Sequence, residues 1–115
     1  MTNTQALERG REAFARKAWA ESYRLLQAAE RGAALEPEDL ERVAIASYLM
    51  GRDDESESAM ARAHQAFLDH GDYEGAARAA FWVGFALTGR GSMAPSAGWF
   101  ARAGRVLDER QLESV

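Results

Sequence analysis

The chain has 115 residues, no cysteine and a formal net charge of −4 at pH 7. Without thiols it has neither a disulfide framework nor a thiolate metal site, and without a basic stripe it is not expected to bind duplex DNA. Alanine occurs 24 times, whereas valine, isoleucine and threonine together occur 8 times, so an all-α protein is predicted.

Helix start and stop signals divide the chain into six segments. Glycines follow four of the segments, a proline opens one of them, and aspartates stand where caps are expected. The first, second, third and fifth predicted helices are residues 4–16, 18–31, 36–50 and 73–90. The fourth is capped by Asp53 or Asp54 and runs to residue 70, and the sixth begins after Ser92 or Met93 and runs to about residue 109, followed by a short tail. Six helices with short connections predict three antiparallel pairs.

Small residues recur at equivalent positions of the three pairs, with a spacing of 34 and then 40 residues. Small residues allow two helices to approach closely, and larger apolar residues fill the remaining space. The repeated small positions are Gly10, Ala44 and Gly84; Ser22, Ser56 and Ser96; and Ala29, Ala63 and Ala103. A regular interval of this length is typical of stacked helical repeats.

This pattern resembles the tetratricopeptide repeat, a helix–turn–helix unit of 34 residues. Phe14 and Tyr48 occupy its aromatic position in the first two repeats, whereas Thr88 stands there in the third. The resemblance implies a right-handed α-solenoid of three stacked hairpins. The whole chain, 1–115, would form a single domain with repeats at about 3–34, 37–71 and 73–110.

A narrower resemblance concerns the runs 51–56, 63–67, 71–72 and 79–84. They are similar to the helical repeats that precede the DNA-binding domain of large LuxR-type regulators of actinobacteria, over about residues 35–107. The chain lacks that family's helix-turn-helix domain, so a fragment or a stand-alone relative that does not itself bind DNA is expected. The ending at 107–115 begins a further segment, which favours a fragment.

The first helix of each pair is expected to line a concave surface, as in other stacked repeats. The resemblance places apolar and aromatic side chains there, with a few charged residues as polar contacts. The alternative for each aromatic residue is burial between neighbouring helices. The candidate groove residues are Arg11, Phe14, Glu41, Ile45, Tyr48, Arg78, Phe81 and Phe85.

No motif predicts catalysis. His64 and His70 lie six residues apart, about 120° around a helix, so they do not share a face as a metal-binding pair would. A surface or capping role is expected for both. The glycine-rich run 84–92 lacks the lysine and the preceding strand of a phosphate-binding loop. The sequence therefore predicts no enzyme, no metal site and no cofactor.

The final helix carries four large apolar residues, Trp99, Phe100, Val106 and Leu107. They cannot all point into the interior of one repeat, and the tail after this helix is too short to cover them. An exposed apolar patch is typical of protein–protein sites. A homodimer that buries the C-terminal end is therefore expected.

The predicted function is a non-enzymatic module that binds a protein or peptide partner. The alternative is a sensor that binds a small apolar metabolite in the concave groove. No apolar run approaches the roughly 20 residues that span a bilayer, and no signal peptide is recognisable, so a cytoplasmic protein without a membrane partner is expected.

Overall fold

The structure, a computed structural model, describes residues 1–114, and the side chains of residues 1–109. Within residues 1–114 there are six α-helices and no strand, which confirms the prediction of an all-α fold with six helices. The helices are α1 (Asn3–Ala15), α2 (Trp19–Glu30), α3 (Pro37–Leu49), α4 (Asp53–Asp69), α5 (Tyr73–Gly89) and α6 (Met93–Ser114).

The last helix is longer than predicted. α6 continues to Ser114, whereas the sequence predicts that it ends near Glu109 and is followed by a tail. Residues 107–114 contain good helix formers and neither glycine nor proline, so nothing in this segment stops a helix.

Four of the five connections between helices are three-residue turns of one type. The middle residue of each has a positive φ: 62° at Lys17, 78° at Gly51, 74° at Gly71 and 80° at Gly91. The next amide donates to the carbonyl five residues earlier, at 2.9 Å for Ala18, 2.8 Å for Arg52, 2.9 Å for Asp72 and 2.9 Å for Ser92. This is the Schellman helix end, which satisfies carbonyls that the helix leaves open. Lys17 is the one residue among these four that lacks the conformational freedom of glycine.

The repeated small residues mark a hydrogen bond that recurs in all three hairpins. A serine of the second helix donates its hydroxyl to the carbonyl of a small residue twelve positions earlier. The pairs are Ser22 to Gly10 at 2.8 Å, Ser56 to Ala44 at 2.7 Å and Ser96 to Gly84 at 2.9 Å. All three serines are buried. The short hydroxyl reaches the carbonyl because the facing residue is small and the two backbones lie close together.

The contacts of the chain cluster into two units, and the boundary between Ala59 and Met60 lies inside α4. In the first unit α1 packs against α2, and both contact α3. Its buried apolar side chains come from these three helices and from the start of α4: Ala6, Ala13, Leu25, Leu26, Ala29, Leu40, Val43, Ala44, Ala46 and Ala59.

The second unit contains the remainder of α4 together with α5 and α6, and α5 packs along α6. Alanine supplies most of its core, so the helices can approach closely. The larger buried side chains are Met60, Phe67, Val83 and Val106.

Candidate functional site

Two phenylalanines of α5 lie exposed against a third aromatic ring of α6. Phe81 and Phe85 are four residues apart, so they share one face of the helix. The ring centroid of Phe100 is 6.0 Å from that of Phe81 and 5.1 Å from that of Phe85. Phe81 is 38% exposed and Phe85 is 67% exposed, whereas Phe100 is half-buried. We call Phe81, Phe85 and Phe100 the aromatic patch.

Gly84 makes room for this arrangement. A Cβ atom at this position would lie 2.7 Å from Cε1 of Phe100, so the ring rests directly on the α5 backbone. The equivalent position of the first two repeats holds Leu26 and Met60, which are 0% and 1% exposed. Phe100 is instead half-buried, and part of its ring remains at the surface beside Phe81 and Phe85.

Two polar side chains of α5, Thr88 and Arg78, form contacts with other residues of the second unit. Thr88 Oγ1 donates to the Gly84 carbonyl at 2.9 Å and also lies within hydrogen-bond distance of the Ser96 hydroxyl. Thr88 thus occupies the position at which the repeat pattern has an aromatic residue. Its hydroxyl lies within hydrogen-bond distance of both partners of the serine–carbonyl hydrogen bond of this hairpin, Ser96 and Gly84. The Arg78 guanidinium lies over the Phe67 ring, 5.4 Å from its centroid.

The groove candidates of the first unit lie in several environments. Phe14 is half-buried and packs edge-on against Trp19, with ring centroids 5.2 Å apart. Glu41 and Ile45 are half-buried, and Tyr48 is 53% exposed.

Arg11 is bound by a carboxylate that the sequence pattern does not identify as its partner. Its Nε donates to Asp39 Oδ1 at 2.9 Å and its Nη2 donates to Oδ2 at 2.7 Å. Asp39 is wholly buried, and Arg42 Nη1 donates to the same Oδ1 at 2.9 Å. The hydrogen bonds that Arg11 donates to Asp39 raise the pKa of Arg11 above its ordinary value. The Nε and Nη2 donors of Arg11 are therefore already hydrogen-bonded to Asp39 within the first unit.

His64 is buried, so the expectation of a surface or capping role for it was wrong. It is 2% exposed, and its Nδ1 lies 2.8 Å from the Ala76 carbonyl oxygen. Because that oxygen can only accept, Nδ1 carries a proton. Nε2 is buried without a hydrogen-bond partner among the described residues. Burial lowers the pKa of His64, and the charge of Arg102 lowers it further, while the bond to Ala76 partly opposes both.

The second histidine behaves as predicted. His70 is exposed at the end of α4, with Nδ1 2.8 Å from the Ala66 carbonyl. The helix period predicts an angular difference of about 120° between the two histidines. The period alone does not say which of the two faces is covered by α5 and α6.

The four apolar residues proposed for self-association lie in different surroundings. Trp99 is half-buried, with the His64 ring 5.5 Å away and the Arg102 guanidinium 4.4 Å from its centroid. Phe100 belongs to the aromatic patch, and Leu107 is half-buried. Val106 is 5% exposed and belongs to the core of the second unit. Its side chain therefore does not belong to an exposed apolar patch.

Within the residues that the structure describes, no group of three or more histidine, aspartate or glutamate side chains could hold a metal ion. No helix in residues 1–114 combines the length and the apolar character needed to cross a membrane. Comparisons with protein-family models, curated proteins and solved structures found no match. The tetratricopeptide and LuxR-type resemblances therefore stay predictions from the sequence.

Proposed function

We propose that this protein is a non-enzymatic interaction module whose aromatic patch binds an apolar side chain of a protein or peptide partner. The observation that carries the proposal is the 67% exposure of Phe85 beside Phe81 and Phe100. Single exposed apolar residues are common on proteins, whereas contiguous apolar surface marks interaction sites. Two exposed aromatic rings that both pack against a third ring fit the second description.

The patch is well suited to binding because its rings are held by regular structure. Phe81 and Phe85 project from a helix, and Phe100 rests on the backbone of Gly84. Aromatic side chains have few rotatable bonds, so ordering them on binding costs little entropy. An apolar anchor of the partner would complete the burial of rings that are now partly in water.

We further propose the architecture and the biological context that the sequence resemblances imply. The hairpins would stack as a right-handed α-solenoid of tetratricopeptide-like repeats, and the chain would be the repeat region, or a stand-alone relative, of a LuxR-type transcriptional regulator in the cytoplasm. The recurrence of one serine–carbonyl hydrogen bond in all three hairpins supports a common repeat. Partner binding, without an enzymatic activity or a cofactor, is the role proposed for it.

A homodimer through the C-terminal end is part of the same proposal. Phe100 and Leu107 are half-buried on α6, so a second copy could cover what remains exposed of them. Val106 would take no direct part because it already lies in the core.

The proposed function is tested by selecting peptides from a random display library on the full chain. We expect the selected peptides to contain aromatic or large aliphatic anchors and to lose binding to Phe85→Ala. The matched control is Tyr48→Ala, which removes another exposed aromatic ring from the first unit and should leave binding unchanged. Peptides that bind both variants and the unchanged chain equally would contradict the proposal.

The same variant separates a binding role from a core role. Full burial of a phenylalanine makes its truncation to alanine cost about 3–5 kcal/mol of stability. Since only about one third of Phe85 is buried, we expect a loss of about 1 kcal/mol in the free energy of unfolding. A loss of several kcal/mol would show that Phe85 is a core residue and would reject the binding role.

A further inference from the structure

We propose that a cleft between α4 and α6 in the second unit binds a small organic monoanion, a carboxylate with a short apolar body. The cleft has a volume of about 280 Å³ and is lined mainly by His64, Leu68, Arg102, Arg105, Val106 and Glu109. That volume is close to the lower end of the range of small-molecule sites. The proposal does not depend on the aromatic patch or on the proposed function.

The charges lining the cleft favour an anion with a single charge. Arg102 and Arg105 supply two positive charges and Glu109 supplies one negative charge. Within the described side chains, neither arginine forms an ion pair with a carboxylate. The guanidinium carbon of Arg102 lies over the Trp99 ring, 4.4 Å from its centroid. Two guanidinium groups at one cleft can bind a carboxylate with several N–H donors.

The apolar part of the lining argues for an organic ligand rather than a bare inorganic ion. Leu68 lies on α4 and Val106 on α6, and both contribute to the cleft. An inorganic ion with a full hydration shell gains nothing from these side chains, whereas a short alkyl chain loses unfavourable contact with water. A carboxylate with two to four additional carbons is the chemistry that matches both parts of the lining.

His64 forms a wall of the cleft and should report the bound charge. Its ring is fixed by the bond to Ala76 of α5, and the charged groups facing it from α6 are Arg102, Arg105 and Glu109. In the free protein the charge of Arg102 disfavours a second positive charge on the ring. An anion beside Arg102 offsets that effect, so ligand binding should raise the pKa of His64.

The experiment follows the two histidine rings by NMR while sodium butyrate is added to the full chain near pH 6.5, the ordinary pKa of histidine. We expect a saturable shift of the His64 resonances and an upward change in its pKa. His70 is exposed and lies outside the cleft lining, so its resonances should not move. This built-in reference separates binding at the cleft from a general effect of salt.

Arg105→Gln is the variant that tests the site, because Arg105 is exposed and its replacement should not disturb the core. We expect butyrate affinity to fall by about tenfold or more, as for loss of a strong charged contact. Arg24→Gln, which neutralises an exposed arginine of the first unit, is the matched control and should leave affinity unchanged.

A parallel titration with inorganic phosphate distinguishes the two sources of an oxyanion. Weaker binding of phosphate than of butyrate supports the proposal, whereas equal or tighter binding of phosphate would overturn the organic ligand class. Equal shifts of both histidines, a linear response without saturation, or full affinity in Arg105→Gln would overturn the site itself.

Discussion

Replacing Asp39 with asparagine should destabilise the first unit more than any replacement of a surface carboxylate. Asp39 is wholly buried and accepts three hydrogen bonds, two from Arg11 and one from Arg42. Asparagine has almost the same shape, but it removes the negative charge and replaces one acceptor oxygen with a donor. The variant therefore tests the electrostatic interaction with little change in packing.

The size of the expected loss in the free energy of unfolding follows from the exposure of Arg11 and Arg42. Breaking a fully buried ion pair by removing one partner costs about 3–5 kcal/mol, whereas an exposed pair contributes about 0–1 kcal/mol. The side chains of Arg11 and Arg42 are 41% and 33% exposed, so water recovers part of their lost hydrogen bonding. We expect Asp39→Asn to lower the free energy of unfolding by about 2–3 kcal/mol.

Urea unfolding followed by far-UV circular dichroism measures this difference. The matched control is Glu12→Gln, since Glu12 pairs with Arg16 at 3.7 Å with both side chains largely exposed. We expect the control to lose less than about 0.5 kcal/mol. Adding Arg11→Met to Asp39→Asn should cost less than the sum of the single changes, because the two residues share one interaction.

A loss from Asp39→Asn no greater than that from Glu12→Gln would refute this reasoning. It would mean that the guanidinium groups recover all their hydrogen bonding from water. Arg11 would then be free to serve as a polar contact for a partner, as the sequence analysis expected. Additive effects of the Arg11 and Asp39 replacements would lead to the same conclusion.

Three further predictions concern other parts of the chain. Lys17→Gly should stabilise the protein by about 1 kcal/mol and Gly51→Lys should destabilise it by a similar amount, because both positions have a positive φ, which glycine adopts without strain. Thermal unfolding of the two variants should show these opposite changes in stability. Because burial lowers the pKa of His64, the imidazole binds a proton more readily in the unfolded chain than in the folded one. The free energy of unfolding should therefore be highest above the ordinary histidine pKa of about 6.5 and should fall as the pH drops below it. Unfolding midpoints measured across this pH range should show the fall in the unchanged chain and also in His70→Gln. Light scattering coupled to size exclusion should show the mass rise from monomer to dimer between roughly 5 and 200 μM, and a constant monomer mass would exclude self-association.

Helix positions could be predicted closely because their signals are local. Asp72 caps α5 as expected, with its side chain accepting from the Gly75 amide at 2.9 Å. The glycines at 51, 71 and 91 end helices as expected, and each has a positive φ. Residues within one turn of a helix end determine these features, so a single sequence contains the necessary information.

The environments of the buried polar residues could not be predicted in this way. Asp39 lies in the first turn of α3, but its partner Arg11 lies 28 residues earlier in the chain. His64 was assigned to the surface, although α5 and α6 supply the groups around it. The sequence does not predict the positive φ of Lys17, because lysine is not typical of that backbone conformation. Each of these features depends on contacts or strain that local patterns do not record.

The turn between α1 and α2 also gives the chain a single point for chemical attachment. Lys17 is the only lysine in the sequence and its side chain is exposed. Apart from the amino terminus, amine-reactive reagents would therefore modify one position. The backbone beneath the attached group is held by the hydrogen bonds of Lys17 to Phe14 and of Ala18 to Ala13, each at 2.9 Å. A fluorophore placed there would follow the tumbling of the first unit and would leave the aromatic patch unchanged.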